Sequence, residues 1–215
     1  MFSFRDYYLK RINEAGGLEN YLAIKAKEKK PLFDKIKKNN PKTIIEAGCG
    51  SSINLIILAR EGYNCIGIDK DPEMIRLSKD LANKAGVKIT LKCADILKLR
   101  KLNGDVIFSH GVLEHFQDKD IINMINAELK IAPKIVFSVP GDYFTQDQAI
   151  EGNERFLSAE YWKNLMNETQ GRLSGSFSYM FFNPTFSVRI KHLIYRLTKG
   201  YIPRKKPYLG FVVVK

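Results

Sequence analysis

The sequence predicts an α/β fold in which a doubly wound, mostly parallel sheet carries helices on both faces. From residue 43 onward, short runs rich in apolar and β-branched residues alternate with longer segments of helical periodicity. Strands that alternate with helices are typical of parallel sheets, because the connecting helices cover both faces. Glycine and proline stand at several boundaries, where the chain changes from one element to the next.

Seven segments have the length and composition of strands. No helical segment comparable to the earlier ones directly follows the sixth, so we expect the last strand to pair antiparallel near one edge. In chain order the predicted strands are TIIEA (43–47), NCIGID (64–69), VKITLKCAD (87–95), GDVIFSH (104–110), KIVFSVPG (134–141), SGSFSYMFF (174–182) and YLGFVVVK (208–215).

Capping residues mark the predicted helices between these strands. Asp71 stands immediately before Pro72, and Ser158 precedes the last of these helices, both in the N-cap position. Gly62 and Gly86 follow helix ends, where a left-handed residue commonly terminates a helix. The predicted helices are INLIILAREG (53–62), DPEMIRLSKDLANKAG (71–86), DKDIINMINAELK (118–130) and LSAEYWKNLMN (157–167).

The chain is predicted to form one domain over residues 1–215, with two segments outside the alternating pattern. Residues 1–42 are expected to form an N-terminal helical cap near the mouth of the sheet, broken near Pro31. Residues 184–207 form a basic insert before the last strand. In the insert one helical face is apolar, which fits a helix packed on the core, a lid over a substrate site, or a helix lying on an anionic membrane.

Composition limits the classes of function. The 215 residues carry a formal net charge of +12, with eight lysines between residues 25 and 42. Such a face attracts nucleic acid, phosphorylated substrates or anionic lipids, but it is also typical of a solvated lysine-rich surface. There is no apolar run of membrane-spanning length and no export signal at the first residues. The three cysteines fit no zinc pattern, so we expect reduced thiols and a cytoplasmic location.

A glycine-containing loop follows the first predicted strand, in TIIEAGCGSSINL (43–55). Gly48 and Gly50 let backbone N–H groups approach a ligand at the start of the next helix. Ile53 occupies the place of the third glycine that a dinucleotide fold requires, which argues against a nicotinamide cofactor. Asp69 and Asp95 end the second and third strands, where carboxylates can accept hydrogen bonds from a ribose and from an adenine amino group.

Four segments in series, IIEAGCGSS, CIGIDKDPEMI, CADIL and GDVIFSHGVLEHF, resemble the ordered motifs of the class I S-adenosylmethionine-dependent methyltransferases. The resemblance implies a Rossmann-like seven-stranded sheet and S-adenosylmethionine as cofactor. It places Glu46 and the two loop glycines near the methionine end and Asp69 on the ribose. It also implies that Asp95 and Ile96 lie near the adenine and that Ser109 and His110 line the floor of the site after the fourth strand. The full predicted cofactor site is Glu46, Ala47, Gly48, Cys49, Gly50, Asp69, Lys70, Ala94, Asp95, Ile96, Ser109 and His110.

His110, Glu114 and His115 are the candidates for acid–base catalysis, in SHGVLEHF (109–116). A base is needed only if the methyl acceptor arrives protonated. Some relatives bind a divalent metal through Glu-x-x-Glu-His, but Gly111 replaces the first glutamate here, so no metal site is predicted. Asp142, Tyr143 and Phe144 follow the fifth strand and are candidates for contact with the acceptor.

The predicted function is methyl transfer from S-adenosylmethionine to a small-molecule, lipid-like or sugar acceptor, anionic or hydrophobic in character. Two alternatives remain open: an RNA or other nucleic-acid methyltransferase, favoured by the basic ends, and a non-catalytic subunit that binds the cofactor and supports a partner enzyme. Peripheral contact with a membrane also remains open. The sequence predicts neither the identity of the acceptor nor the oligomeric state.

Overall fold

The computed structural model describes residues 3–98, 102–179 and 208–215, and the predicted basic insert 184–207 lies outside them. The described residues contain a seven-stranded sheet in the order β3-β2-β1-β4-β5-β7-β6. The strands are β1 (Thr43–Ala47), β2 (Asn64–Asp69), β3 (Thr90–Cys93), β4 (Val106–His110), β5 (Lys134–Pro140), β6 (Arg172–Tyr179) and β7 (Tyr208–Val214).

Strands β1 to β5 pair in parallel, and β7 pairs antiparallel with both β5 and β6. The predicted α/β sheet with an antiparallel last strand is therefore confirmed. The strand order changes direction between β1 and β4, which lie side by side although two strands separate them in the chain. In open α/β sheets, ligands bind beyond the carboxyl ends of the strands at such a point.

Seven α-helices surround this sheet in the part of the chain that is described. Buried side chains of α2 to α5 form one apolar cluster, and those of α6 and α7 form a second, so both faces of the sheet are covered. The helices are α1 (Phe4–Glu14), α2 (Leu18–Glu28), α3 (Lys30–Lys37), α4 (Ile53–Arg60), α5 (Pro72–Lys84), α6 (Asp118–Ile131) and α7 (Ala159–Asn167). Among the described helices, none is long and apolar enough to cross a membrane.

The helix caps follow the sequence signals. The Asp71 side chain accepts a hydrogen bond from the backbone N–H of Glu73, and Ser158 accepts one from Tyr161. The N-terminal region contains three helices rather than the one or two expected. The predicted break near Pro31 falls at Lys29, between α2 and α3, while α1 was not predicted. The side chains of α1 are at most half-buried, so few of them need to be apolar. The apolar stripe in its sequence is therefore weak and does not predict a helix.

Candidate functional site

The principal cavity has a volume of about 570 Å³ and lies beyond the carboxyl ends of the central parallel strands. The turns after β1, β2, β3 and β4 contribute its floor and walls. Phe4 and Tyr8 of α1 contribute to the lining from the N-terminal region, and Glu151 and Asn153 contribute from the loop that follows β5. The cavity is therefore assembled from segments that are distant in the sequence.

In the glycine loop after β1, the backbone has a conformation that few residue types adopt. Gly48 and Gly50 have φ angles of +68° and +51°, in the left-handed region where a side chain is strained. A Cβ at Gly48 would lie 2.6 Å from Cγ2 of Val112, so the space beside this residue is closed to any side chain. The loop therefore needs glycine at position 48 for two independent reasons.

Asp69 fixes the glycine loop to the end of β2. Its Oδ2 accepts a hydrogen bond from the Gly50 N–H at 2.8 Å, and its Oδ1 accepts one from the Asp71 N–H at 3.0 Å. Ser78 of α5 donates to the Gly50 carbonyl. Each carboxylate oxygen can accept a second hydrogen bond, so Asp69 can hold the loop and still bind hydroxyl groups in the cavity.

Asp95 occupies the corresponding position after β3. Its Oδ1 accepts a hydrogen bond from the Leu97 N–H at 3.0 Å, which shapes the turn into a short 3-10 helix, Ile96–Lys98. The side chains of Ile96, Leu97 and Met124 also line this part of the cavity. A carboxylate beside an apolar slot can receive a planar group that carries hydrogen-bond donors.

Nine of the twelve predicted cofactor residues line the principal cavity. The three exceptions are Glu46 and Cys49, which line a second, smaller cavity, and Ser109, which is buried within β4 at 2% exposure. The nine are Ala47, Gly48, Gly50, Asp69, Lys70, Ala94, Asp95, Ile96 and His110. Their roles toward a cofactor stay predictions.

The smaller cavity, which we call the polar nook, has a volume of about 40 Å³ and lies behind the glycine loop. Asn54 bridges two buried charged groups there, because its Oδ1 accepts from Lys29 Nζ at 2.9 Å and its Nδ2 donates to Glu46 Oε1 at 2.5 Å. Burial raises the pKa of Glu46, whereas burial and then the ammonium of Lys25 lower the pKa of Lys29. Tyr8, Gly48 and His110 line both cavities, so the two are adjacent.

His110 ends β4 between the two cavities. Its Nδ1 lies 3.4 Å from Ser138 Oγ and 3.3 Å from the Tyr179 hydroxyl, and its ring lies against that of Tyr208. Burial lowers the pKa of His110 well below its usual value, and the ammonium groups of Lys29 and Lys25 lower it further. The imidazole is therefore neutral at pH 7 and can exchange a hydrogen bond with a bound molecule.

His115 lies in the cavity wall, in a 3-10 turn formed by Leu113–His115. Its Nδ1 lies 2.7 Å from Asn153 Oδ1 and 3.3 Å from Glu151 Oε2. Because an amide oxygen accepts only, Nδ1 carries a proton in this arrangement, and in the neutral form of the ring the lone pair is therefore on Nε2. His115 therefore has the tautomer of a proton acceptor.

Glu114 is placed differently from the two histidines. It is buried at 3% exposure, it is not among the residues that line either cavity, and burial raises the pKa of its carboxyl to about 8. It therefore holds its proton at neutral pH and acts on the site only through its neighbours. Within the described ranges, no group of three or more histidine, cysteine, aspartate or glutamate side chains is arranged to hold a metal ion.

Comparison with known proteins concerns the family and the fold. A model of the methyltransferase domain family matches residues 44–130, which span β1 to α6. A chain of the complex between the Haloferax volcanii Trm112 methyltransferase activator and a methyltransferase superposes with a TM-score of 0.69, at 14% identity over 100% of this chain and 98% of that one. The protein has the class I methyltransferase fold. The resemblance predicted from the four motifs is thus confirmed.

Other relatives with this fold extend the comparison. Magnesium protoporphyrin IX methyltransferase from Synechocystis PCC 6803, solved with bound S-adenosylhomocysteine, gives a TM-score of 0.65 at 15% identity over 96% of this chain and 85% of that one. A ubiquinone biosynthesis O-methyltransferase of Coxiella burnetii is 30% identical over 100 residues, which are 45% of this chain and 43% of the relative. The chain thus spans less than half the length of this curated relative.

Sequence reasoning missed several residues that line the principal cavity. Phe4 and Tyr8 come from the unpredicted α1, and Val112 closes the space beside Gly48. Glu151 and Asn153 lie within the loop between β5 and α7, in which no sequence motif is visible. Of these residues, only Val112 could have been suspected from the sequence, because it stands between two of the predicted catalytic residues.

Proposed function

We propose that this protein is an S-adenosylmethionine-dependent methyltransferase that acts on a small-molecule acceptor. The observation that carries the proposal is the 570 Å³ cavity at the carboxyl ends of the parallel strands, where the glycine loop, Asp69 and Asp95 meet. The family match and the fold support the same reading. The ubiquinone biosynthesis enzyme among its relatives favours a small molecule over a macromolecule as the acceptor.

The residues present suit this cofactor. Gly48 and Gly50 leave room for a ligand close to the backbone, and a Cβ at position 48 has no space. Asp69 has an unused lone pair on each oxygen for the two ribose hydroxyls, and Asp95 has a carboxylate oxygen available for the adenine amino group. Buried Glu46 has one oxygen, Oε2, with no partner among the described residues, and it can accept from an ammonium group.

The catalytic contribution of the chain is chiefly positioning. When bound, the cofactor supplies an electrophilic methyl group on a sulfonium. Methyl transfer requires the acceptor, the methyl carbon and the sulfur in line, so a rigid cavity wall accelerates the reaction. His115 Nε2 can take the proton of a hydroxyl acceptor, and neutral His110 can orient it by a hydrogen bond. Glu114 is buried in the same 3-10 turn as His115.

Binding calorimetry with S-adenosylmethionine, S-adenosylhomocysteine and NAD tests the cofactor. We expect the two sulfur compounds to bind and NAD not to bind. Asp69→Ala removes charge-assisted hydrogen bonds worth roughly 1.5–3 kcal/mol each, so the affinity should fall about tenfold or more. Asp80→Ala, an exposed change on α5, is the matched control and should leave the dissociation constant unchanged.

The outcomes separate the candidate functions. Binding of NAD in place of S-adenosylmethionine would refute the proposal. Binding of S-adenosylmethionine with no methyl transfer to any small-molecule pool, in the presence of RNA that becomes methylated, would favour the nucleic-acid alternative. In that case RNA binding should weaken steeply as salt rises, because phosphate contacts release counterions.

A further inference from the structure

Two histidines line the principal cavity, His110 at the end of β4 and His115 in the turn that follows it. The contacts of His115 put a proton on Nδ1, so in the neutral ring the lone pair is on Nε2. The proton of His110 can be assigned in the same way, because its Nδ1 faces two buried hydroxyl groups.

Ser138 of β5 and Tyr179 of β6 place these hydroxyl groups beside His110. The two oxygens lie 2.6 Å apart, and His110 Nδ1 lies 3.4 Å from Ser138 Oγ and 3.3 Å from the Tyr179 hydroxyl. Ser138 and Tyr179 are 1% and 2% exposed, so each hydroxyl proton needs an acceptor inside the protein.

The positions of these protons determine the tautomer of His110. One hydroxyl proton lies between the two oxygens, whichever residue donates it. The second proton has a single remaining acceptor among the described residues, which is His110 Nδ1, and this nitrogen accepts only if it carries no proton of its own. Burial lowers the pKa of His110 well below its usual value, so the ring is neutral and its one proton is on Nε2.

We propose that His110 donates its Nε2–H to an unprotonated oxygen of the methyl acceptor, and that Ser138 and Tyr179 are positioning residues that fix this tautomer. The inference rests on the proposed function and specifies the class of acceptor, which is a hydroxyl compound with a second oxygen such as a carbonyl. His115 Nε2 then faces the reacting hydroxyl as a proton acceptor, while His110 binds the second oxygen as a donor. The two histidines thus present opposite groups to one molecule.

The place of His110 in the sheet favours the acceptor over the cofactor as the partner of Nε2. The glycine loop and the two carboxylates proposed to bind the nucleoside follow β1, β2 and β3, on one side of β4. The groups that surround the His110 ring come from the other side of β4. They are Ser138 of β5, Tyr179 of β6 and Tyr208 of β7, whose ring centroid lies 5.6 Å from that of His110.

NMR of ¹⁵N-labelled imidazole rings tests the tautomer on the full chain without any ligand. The chain has three histidines, and the variants His115→Gln and His192→Gln assign their signals. A protonated ring nitrogen resonates far upfield of an unprotonated one, so the two tautomers are distinguishable. At pH 7 we expect Nε2–H for His110 and Nδ1–H for His115. A proton on Nδ1 of neutral His110 would overturn the inference.

The hydroxyl pair is tested by its removal. The double variant Ser138→Ala, Tyr179→Phe removes both donors to Nδ1, so an Nδ1–H signal of His110 should appear beside the Nε2–H signal, whereas either single variant keeps one donor and Nε2–H alone. Tyr63→Phe with Ser176→Ala is the matched control, because Tyr63 precedes β2 and Ser176 is exposed on β6. An unchanged tautomer in the double variant would refute the positioning role.

Pairs of neutral probes test the class of acceptor on the complex with S-adenosylhomocysteine. Each isomer of hydroxyacetophenone has a hydroxyl and a carbonyl oxygen, whereas the corresponding ethylphenol lacks the carbonyl. Ring compounds are suitable because Phe4, Tyr8 and Phe116 line the cavity. We expect at least one isomer to bind about fivefold or more tightly than its ethylphenol, which leaves the covered N–H unpaired. His110→Phe keeps a ring, removes the donor and should abolish the preference.

Three further results would count against the proposals. Equal affinity within every pair, or no binding of any probe, would overturn the assigned class of acceptor. Protection of the His110 Nε2–H from solvent exchange by S-adenosylhomocysteine alone would overturn it too, since the cofactor would then occupy the donor. If S-adenosylhomocysteine does not bind, the proposed function itself fails, which is distinguishable because the tautomer is measured without a ligand.

Discussion

At residue scale, the strongest steric constraint in the site lies between Gly48 and Val112. The two residues belong to different turns, after β1 and after β4, and they come together because β1 and β4 are neighbours in the sheet. Gly50 also has a positive φ, but the nearest atom to a Cβ there is the Tyr8 hydroxyl at 3.6 Å. A side chain at Gly48 would be strained by the backbone conformation and would also collide with Val112. A side chain at Gly50 would only be strained by the backbone conformation.

This difference predicts unequal effects of two alanine substitutions. Gly50→Ala should cost about 1–2 kcal/mol of backbone strain. Gly48→Ala should cost more, because its Cβ meets Val112 Cγ2 at 2.6 Å, and should also reduce affinity for S-adenosylhomocysteine more strongly. Thermal unfolding and calorimetry measure the two effects.

Val112→Ala provides the control, since it removes both γ carbons and leaves only the Cβ, 3.6 Å away. The double variant Gly48→Ala, Val112→Ala should therefore be less destabilised than the sum of the two single changes, by about 1 kcal/mol or more. Strict additivity would mean that the collision is relieved by movement of the loop.

The burial of Lys29 could not be predicted from the sequence. The eight lysines between residues 25 and 42 form one basic run, and such a run is typical of a solvated surface. Lys29 is nevertheless 8% exposed, because the break between α2 and α3 directs it against Asn54 of α4. A local charge pattern does not contain that tertiary contact. Asp69 and Asp95 were predictable, because their role depends only on ending consecutive parallel strands.

At the scale of elements, the parallel strands and their helices follow from local patterns, but the segments that complete the cavity do not. Strands β1, β4 and β5 are largely buried and mostly apolar, and α5 has a proline after its N-cap, so each is evident locally. Helix α1 packs with only half-buried side chains, which gives no clear apolar periodicity. The loop between β5 and α7 has no regular structure beyond a short 3-10 turn, Gln146–Gln148, and its order comes from polar contacts.

Glu154 organises that loop. Its carboxylate accepts hydrogen bonds from the backbone N–H groups of Ile150, Glu151 and Gly152 at 2.8–2.9 Å. Burial would raise the pKa of Glu154, but the backbone N–H donors outweigh it and the pKa is lowered. Arg155 then ties the loop to the Phe116 carbonyl at 2.8 Å. The loop is thereby held where its side chains reach His115.

Glu154→Gln should therefore loosen the loop without unfolding the domain. The change removes the negative charge and turns one acceptor oxygen into a donor, which opposes the backbone N–H groups. Hydrogen bonds to a charged group contribute about 1.5–3 kcal/mol each, so amide exchange at residues 150–152 should accelerate about tenfold or more. Hydrogen–deuterium exchange measured by mass spectrometry reports this directly.

Glu160→Gln, an exposed change in the first turn of α7, is the control for loss of one negative charge. It should leave exchange at residues 150–152 unchanged. Unaltered exchange in Glu154→Gln would show that the Arg155 contacts alone hold the loop.

For the molecule as a whole, stability depends on pH through buried carboxyl groups spread over three elements. Glu46 in β1, Glu114 in the turn after β4 and Glu128 in α6 are each at most 3% exposed, and burial raises the pKa of all three. Glu128 is the simplest of them, because burial alone raises its pKa, to about 8, and neither oxygen has a partner among the described residues.

The direction of the effect follows from proton binding in the two states. An unfolded glutamate releases its proton near pH 4.3, whereas folded Glu128 keeps its proton up to about pH 8. Between these values the folded state binds one more proton than the unfolded state. The contribution of Glu128 is therefore fully present below about pH 4.3 and is lost as the pH rises toward 8, by about 1 kcal/mol per pH unit.

Glu128→Gln is the matched test, because an amide imitates the protonated carboxyl and cannot ionise. Variant and unaltered chain should have similar free energies of unfolding near pH 4.5, and the variant should become more stable by about 1 kcal/mol for each pH unit up to about 7.5. Urea denaturation at closely spaced pH values measures the difference, and exposed Glu160→Gln should show no such trend. A difference that stays constant with pH would mean that Glu128 is already ionised in the folded protein, and it would contradict the prediction.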